Sequence, residues 1–233
     1  MRKARALGCA LAAGFGVAAL ALMPGTSAAT AAETSTAAAG TCPVKADLPS
    51  QIAIDREDVQ VKVHLSGCAG GLDWAAASVY GADGTIGMLY WDSDANRDQY
   101  LDVWSLTTPG RYRTLAGHGE ALTGDAVTWT YDSTVIKYKT RAYLAASRSG
   151  YRVTFSGHAT RYEPYVGYVN AFKRYVSIQV RSATTPWHTI GHLKTDSSGR
   201  IKWTHSAVHA WDYRMVVWSS PGSFLAVSNT VHR

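Results

Sequence analysis

No G-x-S-x-G elbow and no C-x-x-C pair occurs in the 233 residues. A serine nucleophile on a strand-to-helix turn and a dithiol redox centre therefore have no signature here. Cysteine is scarce, with 3 in the whole chain. Apolar residues at helical spacing are lacking as well, which points to an all-β chain. Acid is short in one half only: residues 135–233 hold 3 Asp and Glu against 14 Lys and Arg, a net +11, while residues 32–134 hold 14 against 6, a net −8.

What is present begins with MRKARALGCALAAGFGVAALALMPGTSAATAAET. Arg2, Lys3 and Arg5 precede an uncharged apolar run from Ala6 to Met23, Pro24-Gly25 breaks it, and Ala29-Thr30-Ala31 offers an A-x-A cleavage pattern. This layout predicts a secretory signal peptide over residues 1–31. The run is short for a membrane span and ends at a helix breaker, so no span is expected in the mature chain. An Ala/Thr-rich stretch, residues 32–41, buries too little apolar surface to order itself and is expected to be disordered. Export leaves Cys42 and Cys68 as the mature cysteines in an oxidising compartment, where one disulfide between them is the default. Closing a loop of that length contributes about 3.5 kcal/mol on the chain-entropy model.

From Asp58 the pattern has period two, with Val59, Val61, Val63 and Leu65 alternating with Gln60, Lys62, His64 and Ser66. That is a half-buried strand. Similar runs follow (LDWAAASVY, TIGMLYW, YLDVWSL, RYRTLAG, AVTWTY), punctuated by Gly81-Ala82-Asp83-Gly84 and Thr107-Thr108-Pro109-Gly110. The second half repeats the plan with KYKTRAYLAAS, YRVTFSG, YVSIQVRS, WHTIGHLKT, RIKWTHS, YRMVVWSS and FLAVSNTV. About seven strands per half predict two consecutive β-sandwiches, an acidic one over residues 42–134 and a basic one over 135–233. TCPV, the strand ending SGC, TTPGRYR, TVIKYKTRAYLAASRSGYRVTFSGHATRY and WHTIGHLKTDSSGR together resemble the tandem immunoglobulin-like proteins secreted by high-GC Gram-positive bacteria. The resemblance implies the fold and an extracellular or cell-wall location; its motifs are packing and turn motifs and imply no reaction.

The basic half points to a polyanion: teichoic acid, acidic polysaccharide or extracellular DNA. Arg148, Arg152, Arg161, Lys173, Arg174 and Arg181 are the candidate contacts, interleaved with Tyr162, Tyr165, Tyr168, Trp187, Trp203 and Trp211, which would stack on sugars or bases. The competing explanation is that opposite charges dock the two halves together.

The acidic half carries DSDANRDQYLD at residues 92–102. As an EF-hand it fails, having Arg97 for the turn glycine and Val103 for the last glutamate between strands instead of helices. Read from Asp94 it resembles D-x-[DN]-x-D-G-x-x-D calcium loops, with Asp94, Asn96, Asp98 and Asp102 on ligand positions and Gln99 in the glycine slot. A solvated polar turn is the alternative. Glu120 and Asp125 are the next acidic candidates. His188 and His192, like His205 and His209, are four apart, about 13 Å along a strand and too far to share one ion. Two functions follow from these residues: a non-catalytic secreted binding module, needing no cofactor beyond calcium, and a secreted polymer-degrading or calcium-dependent hydrolase.

Overall fold

The computed structural model describes residues 41–68, 71–93, 96–115, 117–171 and 173–233, which belong to one compact unit. The leader and residues 32–40 lie outside the described residues. Thr41, assigned to the disordered segment by composition, opens the first strand.

The first half runs β1 (Thr41–Asp47), β2 (Gln51–Ile54), β3 (Asp58–Gly67), β4 (Leu72–Gly81), β5 (Gly84–Trp91), β6 (Asp98–Trp104), β7 (Gly110–Thr114), β8 (His118–Ala121), β9 (Ala126–Thr130) and β10 (Ser133–Tyr138). Segments β1 and β2, β7 and β8, and β9 and β10 continue one another across short breaks, so seven strands result, as the pattern predicts. One layer is β1–β3–β6, antiparallel. The other is β2–β10–β7–β4–β5, in which β2 and β10 run parallel. β1 also pairs in parallel with β9, and β8 joins β9 to β4, so the layers connect along one side. The alternation on β3 lands as expected: Val63 and Leu65 are buried with Leu101, Val103, Ala77 and Trp91 in one hydrophobic cluster.

Cys42 and Cys68 are bonded. Gly67 and Cys68 both take positive φ there, 93° and 55°. A Cβ on Gly67 would stand 2.2 Å from the Pro43 carbonyl oxygen, which explains the glycine in SGC. In TTPGRYR, the fully buried Tyr112 donates its hydroxyl to the Thr108 carbonyl four residues upstream (2.9 Å). This is the tyrosine corner of Greek-key sandwiches. Its ring lies on Gly81, where a Cβ would come within 2.2 Å. Gly81→Ala is therefore expected to cost about 1–3 kcal/mol by overpacking, read as a lowered urea midpoint with unchanged slope.

The second half runs β11 (Thr140–Ser149), β12 (Arg152–Glu163), β13 (Gly167–Asn170), β14 (Tyr175–Arg181), β15 (His188–Lys194), β16 (Arg200–Ser206), β17 (Asp212–Val217), β18 (Ala226–Val227) and β19 (Val231–His232). One sheet is β11–β12–β16, with β13 on the end of β12. The other is β15–β14–β17, with β18 and β19 along β17. Their inward residues, among them Leu144, Val153, Phe155, Ile178, Tyr213 and Met215, form a second hydrophobic cluster.

The boundary expected at Thr134 falls inside β10. That strand belongs to the first half, since Ile136 is fully buried in the first cluster and pairs with Ile52 and Gly110. The handover comes at Lys139, whose N–H donates to the Ile54 carbonyl (2.9 Å) and whose carbonyl accepts the Tyr162 N–H (2.9 Å). β12 overshoots its own sandwich, so Tyr162 is only 4% exposed within the first cluster, against Tyr138 and Tyr168. The Lys139 ammonium meets the Asp55 carboxylate at 2.8 Å. Among the described residues this is the one ion pair that joins a second-half cation to a first-half carboxylate. The other ion pairs of second-half cations among the described residues, Arg161–Glu163, Arg181–Asp212 and His232–Asp212, stay within the second half.

Candidate functional site

Side chains of β12 alternate. Val153, Phe155, Gly157 and Ala159 face the core, which turns Arg152, Thr154, Ser156, His158 and Thr160 outward. Pairing then fixes what stands beside them. On one side Tyr143 lies opposite His158 and Arg141 opposite Thr160; on the other Arg200 lies opposite His158 and Lys202 opposite Ser156. The small side chains of Ala145 and Ser156 leave a groove walled by Tyr143, His158, Arg200 and Lys202.

The outer face of β11–β12–β16 carries four exposed cations, Arg200 and Lys202 in the wall of the groove and Arg141 and Arg152 beyond its two ends. None has a carboxylate within ion-pair distance among the described residues. Asp196, the one acid at its rim, is occupied, since its Oδ1 accepts the N–H groups of Ser198 (2.8 Å) and Arg200 (2.9 Å). The His158 ring donates from Nε2 to Asn170 Oδ1 at 3.0 Å, and the Arg141 guanidinium lies 3.5 Å from the centre of the Tyr168 ring. At about 3.4 Å per residue, the row from Arg152 to the Thr160–Arg141 pair is about 27 Å long, with Arg200 and Lys202 about 7 Å apart within it.

The six cations chosen from sequence do not form one patch. Arg152 lies on this face. Arg148 is consumed by main-chain carbonyls, those of Gly150, Ala207, Val208 and His209, at 2.7–3.0 Å. Arg161 pairs with Glu163. Arg174 donates to the Trp218 carbonyl (2.7 Å) and to Ser223 Oγ (3.1 Å), and burial lowers its pKa. Lys173 lies beside it with a positive φ of 52°. Arg181 is at the far end of β14, about 24 Å along the strand from Arg174. Of the aromatic residues, Trp203 stacks on Phe155 and both it and Trp211 pack on the second core, while Tyr162 belongs to the seam. Arg200, Lys202 and Arg141 were missed, although RIKWTHS alternates the first two with the inward Ile201 and Trp203.

Three of the four candidate residues of the aspartate stretch are described. Asp94 lies outside the described residues. Asp98 does not sit in a loop: it begins β6, and its carboxylate is held by Lys62 Nζ at 2.7 Å and His64 Nδ1 at 2.9 Å. The Lys62 ammonium, ahead of His64, keeps the Asp98 carboxyl below its usual range. Asp102 points outward from the middle of the same strand, about 13 Å away, so one ion cannot take both. Asn96 is exposed. Arg97, the residue between them, turns back to donate to the Gly67 carbonyl at 2.7 Å. Among the described residues no three His, Cys, Asp or Glu side chains gather as a metal site.

Among the described residues Ser177 and His192 are the one hydrogen-bonded pair that resembles a nucleophile with its base, at 3.0 Å. Ser177 is fully buried and its Oγ accepts the Trp218 Nε1–H at 2.8 Å. Among the described residues no carboxylate orients His192, and the Ser177 hydroxyl pins Trp218 to the sheet. Glu120 stands outward on β8, and Asp125 caps the next turn through Thr123 (2.7 Å).

No family model matches the chain, and no curated protein matches it. Solved structures overlap it loosely. Fibronectin type III-like modules of Clostridium thermocellum CbhA share 12% identity at a TM-score of 0.34, covering 81% of this chain and 90% of that one. A two-domain fibronectin type III segment of chicken tenascin shares 9% at 0.37, covering 81% and 96%. A tetra-tandem repeat from the extending region of a large adhesion protein shares 10% at 0.31, covering 84% of this chain but only 49% of that one. The sandwich architecture rests on the strand pairing described above.

Proposed function

We propose that this protein is a non-catalytic, exported binding module, and that its second sandwich holds an extended anionic polymer along the outer face of β11–β12–β16. The observation that carries this reading is the line of four exposed cations without carboxylate partners over about 27 Å, a length suited to a chain of repeating anions and not to one small ion. Teichoic acid, acidic polysaccharide and DNA all present such a repeat. Tyr143 and His158 border the groove and add flat surfaces for sugar or base contact. Export follows from the leader pattern and agrees with the disulfide.

The test is binding of labelled teichoic acid, polyuronate and single-stranded DNA at low salt. The combined Arg152→Gln, Arg200→Gln, Lys202→Gln variant is expected to weaken binding at least tenfold, while Arg111→Gln with Arg113→Gln, on the first sandwich, leaves it unchanged. Equal binding by both variants would remove the groove from consideration. Release of shortened polymer by the intact protein would instead restore the hydrolase reading.

A further inference from the structure

On the opposite sheet, β14 turns Tyr175, Ser177, Gln179 and Arg181 outward, and β17 places Arg214 opposite Gln179 and Asp212 opposite Arg181. Trp187 comes back over them from the loop after β14. The Arg181 guanidinium carbon stands 4.6 Å from the centre of the Trp187 ring and that of Arg214 stands 4.3 Å from it. Each guanidinium is anchored through its Nε: Arg214 donates to Gln179 Oε1 (2.8 Å) and Arg181 to Asp212 Oδ2 (3.2 Å). Their Nη groups have no acceptor among the described residues.

We propose that Arg181, Trp187 and Arg214 form a second anion site, taking one phosphate or sulfate group, so that the second sandwich grips two segments of anionic polymer at once. Two like charges held against one ring repel each other; burial first, and then Arg181, lowers the pKa of Arg214. An oxyanion lying between their free Nη groups relieves that repulsion and matches the fixed fork of guanidinium donors. Among the described residues Asp212 is the one carboxylate paired with the cluster, and it also accepts from His232 Nδ1 at 2.9 Å, so two guanidinium charges stand against one carboxylate. Trp187 acts as a platform for the cations. With guanidinium groups on the ring, the site reads charge and geometry, not a neutral sugar. The two sheets enclose one core, so their outer faces point away from each other and both sites can be filled by separate strands. The double grip rests on the groove reading proposed above, whereas the Arg181–Arg214 site stands without it.

Calorimetric titration of the whole protein with tripolyphosphate at low ionic strength tests both. Two equivalents are expected. The Arg181→Gln, Arg214→Gln variant should lose one, and Arg200→Gln, Lys202→Gln should lose the other, with melting temperatures showing that each variant folds. Long-chain polyphosphate should give turbidity that peaks at an intermediate ratio with the wild type and not with either variant. Arg214→Lys, which keeps the charge but not the fork, should fail to restore the lost equivalent. A stoichiometry unaffected by Arg181→Gln, Arg214→Gln overturns the second site, as does full rescue by Arg214→Lys. Loss of binding in that variant alone would keep the site and overturn the groove and the double grip.

Discussion

Replacing Tyr162 by alanine is expected to cost about 3–5 kcal/mol, the range for removing a large buried ring, and to split unfolding into two transitions. The ring is on a strand of the second sandwich but is only 4% exposed inside the first core, 6.4 Å from Tyr138 and 5.8 Å from Tyr168 by ring centres. Its loss removes the buried apolar joint, leaving Tyr168 at the edge of the first core and polar links: the Lys139 hydrogen bonds, the Asp55 pair, and the bonds of Tyr138 and Lys137 to residues 219–224. Scanning calorimetry with Phe155→Ala as control separates this from ordinary core damage. Phe155 is as large and is confined to the second core, so its variant should melt lower while Tyr162 still couples the halves. One unshifted transition for Tyr162→Ala would show that the seam carries no coupling. The Asp55 pair adds a pH dependence. The Lys139 ammonium, ahead of Arg56, holds the Asp55 carboxyl below its usual value. A carboxyl whose pKa is depressed on folding contributes stability that is complete above its unfolded pKa, about 3.9, and is lost as pH falls through the lower folded value. The wild-type seam should thus weaken only below about pH 4.

Polymer affinity in the groove should collapse with salt. Four cations in contact with phosphates give a log–log slope of about −2.8 at about 0.7 per contact, so raising salt from about 50 to 200 mM weakens binding roughly 50-fold. The variant carrying Arg152→Gln, Arg200→Gln and Lys202→Gln retains Arg141 in the row and should show only about a threefold loss over the same range. Anisotropy titrations of a labelled single strand at several salt concentrations give both slopes. If the two slopes agree, the groove makes no ionic contacts.

Period-two patterning was enough to place the strands of both halves, because alternation and burial report the same event on a sandwich strand. It did not show that the boundary drawn after Thr134 cuts through a strand. Ile136 is apolar for the sake of the first core, and only its pairing with β2 and β7 reveals that. Candidate cations were harder to read, since a guanidinium is free or consumed according to tertiary partners. Arg148 and Arg174 look like Arg152 in the sequence, yet their donors close main-chain carbonyls. Spacing misled at Asp98 and Asp102 because every-second-residue carboxylates suit a loop around an ion and equally suit the outer face of β6. The tyrosine corner was within TTPGRYR, but the hydroxyl of Tyr112 needs the folded turn before it meets Thr108.

The parallel pairing of β1 with β9, and of β2 with β10, sets how the first sandwich meets a mechanical load. Tension enters on β1 and leaves through β10, so it drags parallel neighbours in opposite directions along their own axes. The five paired positions of one ladder and the four of the other are then loaded together in shear and cannot be peeled open one at a time. Cys42, one residue inside β1, also passes the pull through a covalent bond to the end of β3. β19 is held to β17 by two paired positions and the reciprocal Trp211–Arg233 bonds, a shorter antiparallel ladder without a covalent link, so under a pull between residues 41 and 233 the rupture is expected to start in the second sandwich while the first remains a strut.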